Sequence, residues 1–368
     1  MRQNNKATEN RRIIAVIITG LMLIVAGFLI VLFHNQATNE SVVVPTAPAD
    51  ARETPVSTNV RPSETESDQS EDGHDLPIRN YIYQKYLISP LIEQTYHPNK
   101  EVYQRVFDAV DQFVAAVDVS SNHLCNDDVE NIAAAIFNRF EFEYIDKIML
   151  SSDQDTIEIT YRSDFTKQEA MESSKAFREN VIKILDFVKD AVGQDRSDFA
   201  VVYQVYQYIS KNASYNPDAE NLGPYGLLVN KEAICVGFAY GMNYILDQLG
   251  IENYLAQSDA NAHIWNIVKM SGNYYHMDAA GESSYDKSTP TLGYFGMDDA
   301  AVALDAYYQN WYLQVGNGPK SQGFPLCTDP IFTPMIGSQR VEVNFEQDTI
   351  SYTDYNEMVH TIDISKFK

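Results

Sequence analysis

Cations are scarce in this chain. Only 27 Lys and Arg stand against 51 Asp and Glu among 368 residues, a formal net charge of -24. Beyond the first dozen positions the cations do not cluster, so nothing is available to neutralise a phosphate backbone, and nucleic-acid binding is excluded as a sequence-wide function. Cysteine is scarcer still: Cys125, Cys235 and Cys327 are the only three. That is too few to staple a small fold, and no C-x-x-C pair offers a structural zinc site. An H-E-x-x-H helix is missing, which weakens a zinc-hydrolase reading, and no internal repeat suggests a solenoid. Apolar residues, at 45%, are present in ordinary measure and suffice for a sizeable core.

One run departs from that average. Ile13–Phe33 reads IIAVIITGLMLIVAGFLIVLF, with neither charge nor proline. At helical rise its length matches the roughly 30 Å hydrocarbon core of a bilayer. Arg2, Lys6, Arg11 and Arg12 precede it against a single Glu9, so residues 1–12 are expected on the cytoplasmic side and the long C-terminal part outside. A cleaved signal peptide is the alternative. The run is longer than a usual signal core and no A-x-A-like site follows it directly, which favours a retained signal-anchor. From 34 to 76 the composition turns to Pro, Ser, Thr, Glu and Asp, as in VPTAPADARETPVSTNVRPSETESDQSEDGHD. Such a segment buries too little surface to offset chain entropy and is expected to be a disordered tether.

The folding part begins near 77. Val102, Val106, Phe107, Val110, Phe113 and Val114 recur at helical spacing, predicting a helix over 100–118. A second helix is expected from Asp127 to Arg139, capped by Asn126 or Asp127, then strands at Glu141–Met149 and Thr156–Tyr161. Further helices are expected over Asp164–Val192, opened by Asp164 or Thr166, and over Asp198–Lys211. Past Gly250 the pattern changes to strands: Glu252–Ala256, His263–Met270, Asn273–Asp278, Arg340–Phe345, Thr349–Tyr352 and Met358–Ile364. Helices early and antiparallel strands late make the class α+β.

The stretch 229–281 carries the chemistry. After Cys235 the residues Phe238, Met242, Ile245, Leu246 and Leu249 form an apolar stripe that Gly250 ends. Cys235 therefore falls in the first turn of a buried helix, where free N–H groups and the positive dipole end stabilise a thiolate. Small residues at Gly237, Ala239 and Gly241 let another element approach closely. Ser271-Gly272 reads as a two-residue hairpin turn, so Met270 faces Asn273 and Asp278 falls opposite Trp265. His263 shares a face with Trp265, which makes His263 and Asp278 diagonal cross-strand neighbours within side-chain reach. Asp278 would then orient His263, and His263 would serve Cys235, in the order of a Cys-His-Asp triad. His276, on the same face and opposite Ile267, is either a supporting group, a rival base or a packing residue.

The segment resembles the transglutaminase-like superfamily, whose members share a papain-like core. The matching residues are Tyr225-Gly226-Leu227, Ala233-Ile234-Cys235-Val236-Gly237-Phe238-Ala239, His263-Ile264-Trp265-Asn266 and Tyr274-Tyr275-His276-Met277-Asp278. Close resemblance covers about 200–295. It implies a Cys-bearing helix packed on an antiparallel sheet that carries His and Asp, with Cys235 as nucleophile, His263 as base and Asp278 as orienter. The chain departs from the family pattern at Ile264 and at Ala279-Ala280. The implied organisation is an N-terminal α/β region at 77–195, a catalytic core at 196–300, and a C-terminal part at 301–368 that completes the domain. Two functions follow. One is a cell-surface cysteine enzyme that acts on amide bonds of peptides or proteins through a thioester, resolved by water or by an amine. The other is an inactive binding module of the envelope. Neither calls for a cofactor or a metal, and Cys125 and Cys327 are expected to stay unpaired.

Overall fold

A computed structural model describes residues 79–193, 197–258, 261–283, 291–314, 325–338 and 340–368. The expected tail 1–12, the membrane segment Ile13–Phe33 and the tether 34–76 lie outside the described residues. Among the described residues no helix is long and apolar enough to cross a membrane.

The first part builds its own core. Helix α1 is Pro90–Tyr96, and α2, Lys100–Asp111, opens on Asn99, whose side chain accepts the N–H groups of Glu101 and Val102 at 3.1 and 3.2 Å. Strand β1 is Ala116–Asp118, α3 is Asn126–Phe137, β2 is Ile145–Leu150 and β3 is Thr156–Tyr161, the strands forming an antiparallel sheet in the order β1-β3-β2. Val102, Val106, Phe107 and Val110 pack against Ile132, Ile136, Ile157 and Ile159. The expected helix over 100–118 is thus seven residues too long. Phe113 adopts a left-handed φ of 57° and stacks on Tyr161, with ring centroids 3.9 Å apart, and the chain then turns to pair with β3. Helical spacing of the apolar residues continued past that point, but a non-local ladder won. The cap of α3 is Cys125 and not Asn126 or Asp127, with Asp128 accepting the Cys125 N–H at 2.8 Å. Strand β2 starts at Ile145, four residues later than expected, because Glu141 is drawn into a buried ion cluster.

Helix α4, Lys167–Val192, begins at the Thr166–Glu169 capping box. Its first turns join the N-terminal core through Ala170, and Phe177, Val181, Ile184 and Leu185 join a second, larger one. Helix α5, Asp198–Asn212, lies inside that second core with Val201, Val202, Val205 and Tyr206 fully buried. Strands β4, Ser214–Tyr215, and β5, Glu232–Ala233, form a short parallel pair, and α6, Cys235–Gln248, follows at once. Then come β6, Asn253–Ser258, β7, His263–Met270, and β8, Asn273–Met277, followed by α7, Ala279–Ser283, β9, Phe295–Met297, α8, Asp299–Leu304, and β10, Tyr312–Leu313. The main antiparallel sheet runs β10-β6-β7-β8-β9, with α6 packed on β6 and β7. A separate sheet of β11, Arg340–Asn344, β12, Thr349–Thr353, and β13, Val359–Asp363, closes the chain. Phe332 and Phe367 bind this end to α5 by ring contacts with Phe199 at 5.8 and 5.3 Å.

Where the two cores meet, Glu141 is fully buried and accepts hydrogen bonds from Tyr83 Oη (3.0 and 3.1 Å), Tyr244 Oη on α6 (3.0 Å), Arg178 Nε (3.2 Å) and Arg139 Nη2 (3.3 Å). Arg139 is only 2% exposed and also donates to Leu87 O at 2.6 Å. Glu141 is therefore the anion that makes burial of Arg139 tolerable.

Candidate active site

The hairpin register holds residue for residue. Ser271 and Gly272 both have positive φ, 47° and 83°, as a type I′ turn requires. Met270 pairs with Asn273, Ile267 with His276 and Asn266 with Met277. Asp278 comes one residue after the end of β8, not inside it. Its N–H is held by Tyr294 O at 3.0 Å, and its carboxylate caps α7 by accepting the N–H groups of Ala280 and Gly281 on Oδ1, both at 3.0 Å. The departure at Ala279-Ala280 thus forms the opening of a short helix against the carboxylate, with both alanines buried.

The other carboxylate oxygen faces the imidazole. His263 Nε2 lies 2.7 Å from Asp278 Oδ2, and Tyr308 Oη donates to the same oxygen at 2.9 Å. Each carboxylate oxygen of Asp278 thus has two partners. The remaining imidazole nitrogen, Nδ1, is the one left for Cys235, whose side chain lies close enough to act on the ring. Burial opposes the charged imidazole, but Asp278 and then Cys235 outweigh it and raise His263 to about 10. The ring is fixed in plane as well: Trp265 stacks on it at 5.6 Å and 19°, and Tyr307 and Tyr308 meet it edge-on at 6.1 and 5.5 Å.

Cys235 is 6% exposed and is the first residue of the 14-residue helix α6. The cap position belongs to Ile234, which has no side-chain oxygen to offer the first-turn N–H groups. Tyr215 lies nearby, its phenol pushed above the usual tyrosine range by burial first and then by Cys235 and Asp278. Gly237 explains how a loop comes so near: a Cβ there would sit 2.7 and 2.8 Å from the carbonyls of Gly223 and Leu222. Asn221 holds that loop by accepting the N–H groups of Gly223 and Gly226 at 3.0 and 3.3 Å. Asn266 Nδ2 ties β7 to the helix through Ala239 O at 2.9 Å. These contacts set the spacing between the helix that carries the thiol and the strand that carries the imidazole.

His276 is fully buried and takes no part in the Cys235–His263–Asp278 contacts. Its Nδ1 accepts the Trp265 indole N–H at 3.0 Å, and its Nε2 faces Asp299 Oδ1 at 3.0 Å. It is a supporting group, acting through the Trp265 ring that lies on His263. His276, Asp299 and Cys327 bring ligand atoms within 4.8 Å of one another. The indole N–H argues against a metal there. It requires an unprotonated Nδ1, so the proton of the neutral ring sits on Nε2, the atom a cation would need. Cys125, Cys235 and Cys327 are all free thiols.

One residue at the site had no signal in the sequence. Tyr308 comes from a one-turn 3-10 helix at Ala306–Tyr308, too short to show a period.

Residues 186–279, which include Cys235, His263 and Asp278, match the family model of the transglutaminase-like superfamily. Among solved structures, a candidate cysteine protease from Cytophaga hutchinsonii is similar over 27% of this chain and 37% of its own, at 16% identity and a TM-score of 0.23. A structure described as a TGase is similar over 38% of this chain and 44% of its own, at 15% identity and a TM-score of 0.26. The chain thus spans less than half the length of either. No curated protein matches it.

Proposed function

We propose that the protein is a cysteine-dependent acyl-transfer enzyme acting on amide bonds of peptides or proteins. The observation that carries this reading is a single imidazole shared between Cys235 and a buried carboxylate whose own bonds are complete. The superfamily match over 186–279 supports it. Cys235 Sγ attacks the amide carbon, forming an S–C bond while the carbonyl π pair moves onto oxygen. As the tetrahedral species collapses, the C–N bond breaks and the His263 proton goes to the leaving amine, leaving a thioester. His263, now neutral, takes a proton from water or from an amine as that nucleophile attacks the thioester. The S–C bond then breaks and the sulfur recovers its electron pair. Asp278 keeps the ring oriented and stabilises its charge throughout. Hydrolysis and cross-linking share these steps and differ only in the second nucleophile.

Iodoacetamide tests the thiol directly, with an internal control. Cys125 is exposed and Cys235 is buried. If the reading holds, Cys235 nonetheless alkylates faster than Cys125 at pH 6, as mapped by peptide mass. Equal or slower labelling would favour the binding-module alternative. Asp278→Asn should stay folded and lower turnover by about 10²–10⁴-fold.

The placement of this activity at the cell envelope rests on the apolar run Ile13–Phe33 and the cations before it. Protease added to intact cells, after wall removal if needed, should then digest the folded part. Digestion only after membrane rupture reverses the orientation.

A further inference from the structure

The reaction proposed above leaves His263 uncharged in its second half, and an uncharged ring pairs less strongly with a carboxylate than an imidazolium does. We propose that Tyr308 is a positioning residue that fixes Asp278 Oδ2, so that His263 stays aimed at the thioester while it acts as a neutral base. This inference rests on the acyl-transfer reading and names a residue outside the triad and outside the matched segment 186–279.

The placement follows from how the carboxylate is held. The N–H groups of Ala280 and Gly281, both at 3.0 Å, fix Oδ1. They do not by themselves fix Oδ2, the oxygen 2.7 Å from His263 Nε2. Tyr308 Oη reaches that same oxygen at 2.9 Å. A carboxylate only accepts, so the phenol is the donor. Burial first, then the Asp278 charge, push the phenol well above the usual tyrosine range, and it keeps the proton it donates. The ring that carries the hydroxyl is itself fixed. It is buried, meets Trp265 edge-on at 4.9 Å and 81°, and meets the imidazole at 5.5 Å. The carbonyl of the next residue, Gln309, accepts a hydrogen bond from Ser258 Oγ at 2.8 Å. Ser258 pairs with His263 across β6 and β7, so one strand pair carries both the imidazole and the anchor of the tyrosine. In the first half of the reaction the charged ring and Asp278 hold each other by attraction. Once the ring is neutral, only hydrogen bonds keep its Nε2–H on Oδ2 and its Nδ1 towards the thioester. Tyr308 holds the acceptor where that bond forms.

Hydrolysis of p-nitrophenyl acetate separates the two halves. In the burst, Cys235 Sγ bonds the acetyl carbon and p-nitrophenolate leaves with its electron pair, taking no proton. With the sulfur in a thioester, His263 releases its proton to solvent. In the steady state the neutral ring takes a proton from water, whose oxygen bonds the acyl carbon. The S–C bond then breaks, the sulfur keeps its electron pair and acetic acid leaves. Tyr308→Phe keeps the ring that packs on Trp265 and removes only the hydroxyl. It should lower the steady-state rate by about 10–30-fold and change the burst rate by no more than about threefold. Added to Asp278→Asn, it should cost no more than about twofold in the steady state, because the carboxylate it holds is gone. Equal slowing of the burst, the steady state and iodoacetamide alkylation of Cys235 would make Tyr308 a packing residue, as would the full loss recurring on Asp278→Asn. An unchanged steady state would make it a bystander. Each of these results overturns the proposal while leaving the enzyme reading intact. A wild-type protein with neither burst nor alkylation would instead remove the acyl-transfer reading itself, and this inference with it.

Discussion

Cys235→Ser should reduce acyl transfer by at least about 10⁴-fold, to background, with the fold unchanged. The alcohol keeps nearly the same shape at the start of α6 but not the acidity that a Cys–His pair depends on. In the wild type, His263 is raised to about 10, so at neutral pH the ring is an imidazolium beside the sulfur. Serine's hydroxyl is a far weaker acid than a thiol, so the imidazolium keeps Asp278 as its partner but loses the sulfur nucleophile it serves. His263→Ala should be nearly as damaging, since it removes both the partner of the sulfur and the acid for the leaving group. The wild-type activity should fall on the alkaline side near pH 10 and not near 6.5, because the imidazolium is lost only there. Turnover of a peptide substrate and single-turnover release of p-nitrophenolate both measure these losses. Retained turnover in Cys235→Ser, with Asp278→Asn unfolding the protein, would make the constellation structural.

The largest expected loss of stability lies far from the thiol. Glu141→Ala should cost about 3–5 kcal/mol, because it strands the buried Arg139 guanidinium without its anion. Tyr83 and Tyr244 would lose their acceptor as well. Nearby charges hold Arg139 firmly in its charged form despite burial, so it cannot escape by releasing a proton. Removing both ions, as in Arg139→Met with Glu141→Leu, should recover much of the loss, since a paired apolar replacement leaves no orphaned charge. The midpoint of urea unfolding reads this effect, and a drop below about 1 kcal/mol for Glu141→Ala would show the cluster to be relaxed or hydrated. Where the single variant stays folded, alkylation of Cys235 should be unaffected.

The sequence alone determined the parts of this protein that depend on local rules. The α6 stripe and its end at Gly250 follow a helical period, which placed Cys235 at a helix start. A two-residue turn at Ser271-Gly272 admits one register, and that register carried His263 to Asp278 across fifteen residues of chain. Thr166 with Glu169 was one of two readable caps for α4. Other features had no local cause. Helix α2 stops at Asp111 because a strand from residues 156–158 was available to pair with 116–118, and apolar spacing cannot foresee that partner. Glu141 was assigned to a strand because nothing nearby shows that Arg139, Arg178, Tyr83 and Tyr244 converge on it. Tyr308 reaches the site from a three-residue turn of 3-10 helix, far too short for a period, and is held there by contacts made after the sheet and α6 have packed. The triad pair is thus a matter of register, legible in the chain, whereas the groups around it are set by which distant segments the packed core brings to the same place.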